Sequence, residues 1–317
     1  MTRDPRLALL LLLAMAALAT PPSLAVFHDG NWHTWWRAEQ APARWDAALP
    51  LVANAVQWDD SADGVALGSL RLSASGEGWR TRAVIVTIDP SRTRVALARN
   101  GTRLGAPYTW TIDSAPSSAA FALNAGQFTD DGAWGWVVDK GRELQPPGRG
   151  PLAPAVVIDT AGALSIVPSD SIAILRRSKG VVTAFQSYPA LLQGDGVVPA
   201  ALLHDTPDLD RTHRDARLAV GLLRDGRIII VLTRFDALGG ALDGLPLGLT
   251  TPEMAALLGA LGARRAVSLD GGVSGQLLVR LHGQEYRWTG WRKVPVGMVG
   301  TGRTGGTGRT GGTGGSM

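Results

Sequence analysis

The stretch Val267-Ser268-Leu269-Asp270-Gly271-Gly272-Val273-Ser274-Gly275-Gln276 ends an apolar run in a carboxylate and follows it with two glycines. A carboxylate so placed can serve as a base or a nucleophile. Glycine allows positive φ and close backbone approach to a ligand, and consecutive N–H groups of such a turn can receive an anion such as phosphate. The same text also reads as a plain strand-to-strand turn in which Asp270 accepts backbone N–H groups. It is not a P-loop, because the Lys-Ser/Thr ending is missing. Nor is it a nucleophile elbow, because Gly272-Val273-Ser274-Gly275-Gln276 breaks the G-x-S-x-G spacing. A second candidate is Phe121-Ala122-Leu123-Asn124-Ala125-Gly126-Gln127-Phe128, a strand ending in a side-chain amide and a tight turn. A third is Arg217, which precedes the apolar run Leu218-Ala219-Val220-Gly221. An Arg there is a surface charge or a bidentate clamp for phosphate or carboxylate. His28, His33, His204, His213 and His282 are scattered without H-x-H or H-E-x-x-H spacing, and the chain has no Cys. No metal and no cofactor is therefore expected.

The elements that would position these residues are mostly strands. Short β-branched or aromatic runs cut by Gly, Pro and Asp predict strands at Ala83–Ile88, Arg94–Ala98, Ala119–Leu123, Trp134–Val138 and Ala155–Ile158. The series continues with Ile172–Leu175, Val181–Phe185, Leu218–Leu223, Arg227–Thr233 and Ala266–Leu269, with Arg224-Asp225-Gly226 as a hairpin link. One strong helix is expected, Glu253–Leu261, capped by Thr251, with Pro252 at its first turn and Gly262 closing it. Many strands without strict alternation with helices predict an α+β fold, a mixed and largely antiparallel sheet core with few helices. Residues 26–80 hold six of the 11 tryptophans (Trp32, Trp35, Trp36, Trp45, Trp58 and Trp79) in an irregular pattern, with a short helix expected near Pro42–Leu49. They read as a Trp-rich N-terminal elaboration whose indoles serve core packing or carbohydrate stacking.

Both ends differ from this body. Arg3 and Arg6 precede the apolar run Leu7–Ala19, and Ser23-Leu24-Ala25 offers small residues at a cleavage site. The run is shorter than the roughly 20 residues that span a bilayer, so residues 1–25 read as a signal peptide, with an uncleaved anchor as the competing possibility. A periplasmic or secreted protein without stable membrane insertion after cleavage is expected. From Thr301 a Thr-Gly-Arg-Thr-Gly-Gly repeat carries no apolar side chain before Met317, and residues 301–317 read as a flexible tail. Residues 81–300 remain as the main domain. Net charge is only +4 over 317 residues, with 31 Lys and Arg against 27 Asp and Glu, so no nucleic-acid partner is expected.

The stretches Gly248-Leu249-Thr250-Thr251-Pro252-Glu253-Met254-Ala255, Leu261-Gly262-Ala263 and Ala266-Val267-Ser268-Leu269-Asp270-Gly271-Gly272-Val273-Ser274 together resemble the phosphodiester glycosidase family. Asn124-Ala125-Gly126-Gln127-Phe128 is similar to that family's Asn-Gly-Gly-Phe-Phe element, and Arg217-Leu218-Ala219-Val220-Gly221 to its Arg-Thr-Ala-Ile-Gly. Ser187-Tyr188-Pro189-Ala190-Leu191-Leu192 and Lys293-Val294-Pro295 match further elements in order, so the resemblance runs from about Thr81 to Val299. Val273, Gly275, Ala125 and Gln127 depart from the family pattern. The resemblance implies an exported glycosidase that hydrolyses the C1–O–P bond of a sugar-1-phosphodiester. Because phosphate leaves without much protonation, one carboxylate suffices where ordinary glycosidases use two. The implied catalytic residues are Asp270 (base or nucleophile), Arg217 (phosphate) and Asn124 (sugar hydroxyl or acetamido groups). Gly271, Gly272, Ser274, Gly126 and Gln127 would bind substrate, Trp134 and Trp136 would stack on a sugar or pack the core, and Asp236, Asp243 and Glu253 are reserve carboxylates. The implied partner is a sugar-phosphate or polysaccharide substrate. The alternative is a non-catalytic periplasmic module that binds sugar-phosphate polymer or exopolysaccharide.

Overall fold

The computed structural model describes residues 21–101, 104–207, 209–236 and 244–303. Residues 1–20 of the expected signal peptide 1–25, the reserve carboxylate Asp243 and the repeat beyond Arg303 lie outside the described residues. The architecture is α+β. A nine-stranded sheet runs in the order Ala190–Leu192, Ala263–Leu269, Leu218–Leu223, Ile228–Phe235, Thr81–Ile88, Val65–Ala74, Ser23–His28 and Asn31–Arg37, with Gln57–Ala62 pairing on Val65–Ala74. One five-stranded sheet contains Arg142–Gln145, Val137–Asp139, Val181–Gln186, Ala155–Asp159 and Leu164–Val167. The other contains Gln284–Trp288, Leu277–Leu281, Ala119–Asn124, Gly297–Gly302 and Thr93–Ala98.

The central strands are apolar at nearly every position because the large sheet is covered on both faces. Along Thr81–Ile88, Val84, Val86 and Ile88 face the smaller sheets and pack with Phe121, Leu123, Val156 and Val279. Ala83 and Ile85 face the other way, into a cluster with Leu257, Leu258, Trp36 and Val52. The helix Thr251–Ala260 fills that second face and is buried on all sides except at Pro252. A helix enclosed by protein needs no polar stripe. Its N-cap is Thr250 rather than the expected Thr251. Thr250 Oγ1 accepts from Glu253 N (3.3 Å), and Glu253 Oε2 accepts from Thr250 N (2.9 Å). This reciprocal pair satisfies two end donors at once.

Several expectations are corrected. Ile172–Leu175 is a helical turn: Ile172 and Leu175, three apart, pack into one cluster while Ile174 is exposed, which is helical spacing, not the alternation of a strand. The run Trp134–Val138 is split into Gly132–Trp134 and Val137–Asp139, because Trp136 N donates to the Gln186 side chain (3.0 Å) instead of to a ladder. The helix expected near Pro42–Leu49 lies at Pro50–Asn54, started by Pro50. The Trp-rich segment, read as an irregular elaboration, supplies four strands that continue the large sheet. Leu24 is fully buried within Ser23–His28, so cleavage after Ala25 would cut through a paired strand. The last strand extends through Gly302, two residues into the expected tail, and Arg303 N donates to Arg92 O (2.8 Å).

Candidate active site

The strand Leu218–Leu223 lies between Ile228–Phe235 and Ala263–Leu269, with Leu218 opposite both Leu232 and Leu269. This register brings Arg217, at the start of one strand, beside Asp270, at the end of its neighbour. They open into a cleft of about 490 Å³ walled by Phe128, Trp134 and Tyr188, with Gln127, Asp210, His213, Asp215 and Gly271 also at its surface.

Asp270 is half-buried, and burial is the main cause that pushes its carboxyl up from 3.8 to about 6. The Ser274 hydroxyl, which hydrogen-bonds the carboxylate, and the Arg292 charge pull the other way; Asp215 adds a smaller push upward. The backbone at Asp270 is pinned. Its N–H donates to Gly126 O (3.2 Å), and its carbonyl accepts from Asn124 Nδ2 (2.7 Å). Asn124 Oδ1 in turn accepts from Gln276 N (2.9 Å), and the residue is 1% exposed. The Asn124 amide therefore clamps the loop from behind instead of reaching a sugar.

The glycine turn also differs from its expected role. Gly272 adopts φ +53, and a Cβ there would meet Asp215 Oδ2 at 2.7 Å. Its N–H donates to Ala216 O (2.6 Å), so it fixes the turn against the Asp215–Arg217 segment and is not free for an anion. Of the sequence candidates, Asp270, Arg217, Gly271 and Gln127 line the cleft, whereas Asn124, Gly126, Gly272 and Ser274 support it from behind. Gln127 Nε2 donates to Tyr188 O (2.9 Å) and so joins two walls. Trp134 lines the cleft, but Trp136 is core, with its Nε1 donating to Glu143 Oε2 (2.8 Å).

Arg217 Nε donates to Leu249 O (2.8 Å) and its Nη2 to His213 O, which orients the planar fork. Burial pulls its pKa below the usual guanidinium value, and the charge of Asp215 opposes that. Asp215 is the residue that sequence reasoning missed. Its side chain is 23% exposed, burial raises its pKa, and Oδ1 is buried with no hydrogen-bond partner among the described residues. His213 Nε2 lies 3.8 Å from Asp215 Oδ2. The available signal was the dense text His213-Arg214-Asp215-Ala216-Arg217 directly before an apolar strand. Asp210 Oδ1 caps this loop by accepting from the Thr212 hydroxyl (2.8 Å) and from Thr212 N and His213 N (2.8 and 3.1 Å); the Thr212 hydroxyl bond first, then the backbone bonds, lower its pKa. Arg214 ties the loop to the helix through paired contacts to Glu253 (2.7 and 2.8 Å), a carboxylate with no exposure. Glu253 is thus a structural anchor, and Asp236 lies in a different indentation. Among the described residues no three His, Asp or Glu side chains are grouped to hold a metal ion.

A carboxyl whose pKa is raised to about 6, a second beside it, an oriented guanidinium and an aromatic wall suit hydrolysis at a charged ester of a ring-shaped ligand. Residues 117–300 match the family model for phosphodiester glycosidases (NAGPA). The chain belongs to the phosphodiester glycosidase family. No curated protein sequence matches it. Among solved structures, the fold is similar to the catalytic domain of zebrafish N-acetylglucosamine-1-phosphodiester α-N-acetylglucosaminidase, auto-inhibited by its pro-peptide. The TM-score is 0.55 at 15% identity, covering 80% of this chain and 86% of that one. It is also similar to a hypothetical protein from Synechocystis, with a TM-score of 0.52 at 18% identity over 78% of this chain. The chain spans 64% of the length of the Synechocystis protein. Thr93–Ala98 and the N-terminal strands lie outside the segment 117–300 that matches the family.

Proposed function

We propose that the protein is a hydrolase that cleaves the C1–O bond of a sugar-1-phosphodiester in the Asp270 cleft. The observation that carries this reading is the pairing of Asp270, with its pKa raised to about 6, with the oriented Arg217 in one cleft of a phosphodiester glycosidase fold. Asp270 accepts a proton from attacking water, or attacks C1 itself and yields a glycosyl ester that water then opens. As the C1–O bond breaks, its electron pair goes to the phosphate oxygen, and a phosphate monoester leaves. Arg217 stabilises the charge that develops there. Family membership supports the hydrolase class, and the zebrafish neighbour's name supports an N-acetylglucosamine-1-phosphodiester as first substrate to try.

Asp215 supplies the second carboxylate. It lines the same cleft, and Trp134 and Tyr188 offer faces for the ring. The basic start and short apolar run before Thr20 support export, so that the substrate would be met outside the cytoplasm. The test is turnover of an alkyl N-acetylglucosamine-1-phosphodiester by the purified protein and by Asp270→Asn. The variant is expected to lose turnover by roughly 10²–10⁴-fold for a proton-transfer role, and more for a nucleophile. Equal turnover by a folded Asp270→Asn protein would remove this residue from the mechanism.

A further inference from the structure

A second indentation of about 380 Å³ is lined by Trp32, Arg71, Ser73, Trp79, Arg80 and Asp236 among its residues. All of these except Asp236 lie outside the segment that matches the family. Trp32 is 47% exposed and Trp79 51% exposed, although indoles ordinarily contribute to cores. Both rings are held in place from behind. Trp32 meets Phe27 edge-on at 5.4 Å between centroids, and Trp79 meets Phe235 at 6.1 Å. A guanidinium stacks on this aromatic lining at each end. Arg71 Cζ is 4.1 Å from the Phe27 centroid and 5.8 Å from that of Trp32, while Arg80 Cζ is 4.9 Å from that of Trp79. A stacked guanidinium keeps its N–H edge available for an anion.

The chemistry that fits is a saccharide carrying negative charge. Flat ring faces lie against the indoles, hydroxyls reach Asp236 and Ser73, and two cations against one carboxylate favour an anionic linkage such as a phosphodiester. The register then places this groove. Leu218 is opposite Leu269, Phe235 is opposite Thr81, and Leu72 is opposite both Thr81 and Val26. Arg217, Asp270, Asp236, Arg80 and Ser73 therefore all sit at one end of the nine-stranded sheet. Three strand-to-strand steps separate Leu218–Leu223 from Val65–Ala74, about 14 Å at ordinary strand spacing.

We propose that the Trp32–Trp79 groove is an accessory binding site for an anionic, phosphodiester-linked glycan chain whose terminal unit occupies the Asp270 cleft. The inference rests on the reading of that cleft as a phosphodiester glycosidase site and deepens it: the substrate is a polymer, gripped at a distance from the bond that is cut. Single-stranded nucleic acid also combines stacking faces with phosphates. The glycan is favoured because groove and cleft share one sheet edge.

The test uses the full chain and a short oligomer of N-acetylglucosamine 1-phosphate units joined by phosphodiesters. In an Asp270→Asn background, calorimetric binding of the oligomer is expected to weaken roughly tenfold with Trp32→Ala and again with Trp79→Ala. In the otherwise native enzyme the same changes raise KM for the oligomer, with kcat/KM for a methyl N-acetylglucosamine-1-phosphodiester unchanged. Trp32→Phe keeps a ring and is expected to bind better than Trp32→Ala at an equal melting temperature, which separates stacking from folding. Oligomer affinity equal in wild type and both Trp→Ala variants overturns the proposal. So does a single-stranded oligodeoxynucleotide that binds the groove more tightly than the oligomer. Calorimetry needs no turnover, so failure to hydrolyse the methyl substrate would count against the cleft reading while the groove is still decided.

Discussion

Replacing Asp270 by Asn should make the protein more stable at neutral pH while costing it at least roughly 10²-fold in turnover. Burial lifts the folded-state pKa from 3.8 to about 6, so between those values the folded protein holds a proton that the unfolded chain has released. The stability contributed by this group is fully present below pH 3.8, falls as the pH rises through the window to about 6, and is absent above it. At about 1.4 kcal/mol per pH unit, an ionised Asp270 costs about 3 kcal/mol, or roughly 2 once contact of the half-buried carboxylate with solvent is counted. Asn keeps the shape and still accepts from Ser274, but it never ionises. Urea unfolding at pH 8 is therefore expected to show Asp270→Asn more stable by about 2 kcal/mol, with the two proteins converging near pH 4. If the variant is instead less stable at pH 8, and its activity falls only with its folded fraction, then the Asp270 charge serves the fold and the functional reasoning fails.

Because the ionised carboxylate is the working form, kcat/KM for a sugar-1-phosphodiester should rise through a limb centred near pH 6, and a flat profile between roughly pH 5 and 7 would contradict the assignment. Arg214→Ala leaves Glu253 fully buried without its cation, so chemical denaturation should show a loss of about 3–5 kcal/mol. If export removes the N-terminal segment, Edman sequencing of the mature protein should find cleavage before Ser23, for example after Ala17-Leu18-Ala19, since Leu24 is buried in a paired strand. A protein beginning at Val26 should melt lower than one beginning at Thr20, with about 2–3 kcal/mol lost from Leu24 alone.

What was legible in the sequence follows from how each segment is buried. Leu218–Leu223 and Ile228–Phe235 are covered on both faces and so are apolar throughout, and Arg224-Asp225-Gly226 marks their link. The N-terminal strands were obscured because half-exposed Trp32 and Trp58 break the alternation. Their turns were nevertheless written in Asp29-Gly30 and Asp63-Gly64, where both residues of each pair take positive φ, as tight hairpins require. At the site, a carboxylate before two glycines and an Arg before an apolar strand could be picked out by type and spacing. Asp215 was harder to single out within His213-Arg214-Asp215-Ala216-Arg217, since a carboxylate in a charge-rich loop normally faces water. Its burial arises only when the Gly271–Gly272 turn closes over it. The inward turn of the Asn124 amide is likewise a tertiary event, fixed by the backbone N–H of Gln276, 152 residues away in sequence.

The central claim is that the Asp270 cleft breaks a C1–O bond and not a P–O bond. Hydrolysis of methyl N-acetylglucosamine-1-phosphodiester in ¹⁸O-labelled water, followed by mass spectrometry of both products, tests it most directly. The account predicts labelled oxygen at C1 of the released sugar and an unlabelled methyl phosphate, with both products absent for Asp270→Asn. Label in the phosphate product, or no hydrolysis by the folded wild-type protein, would contradict it.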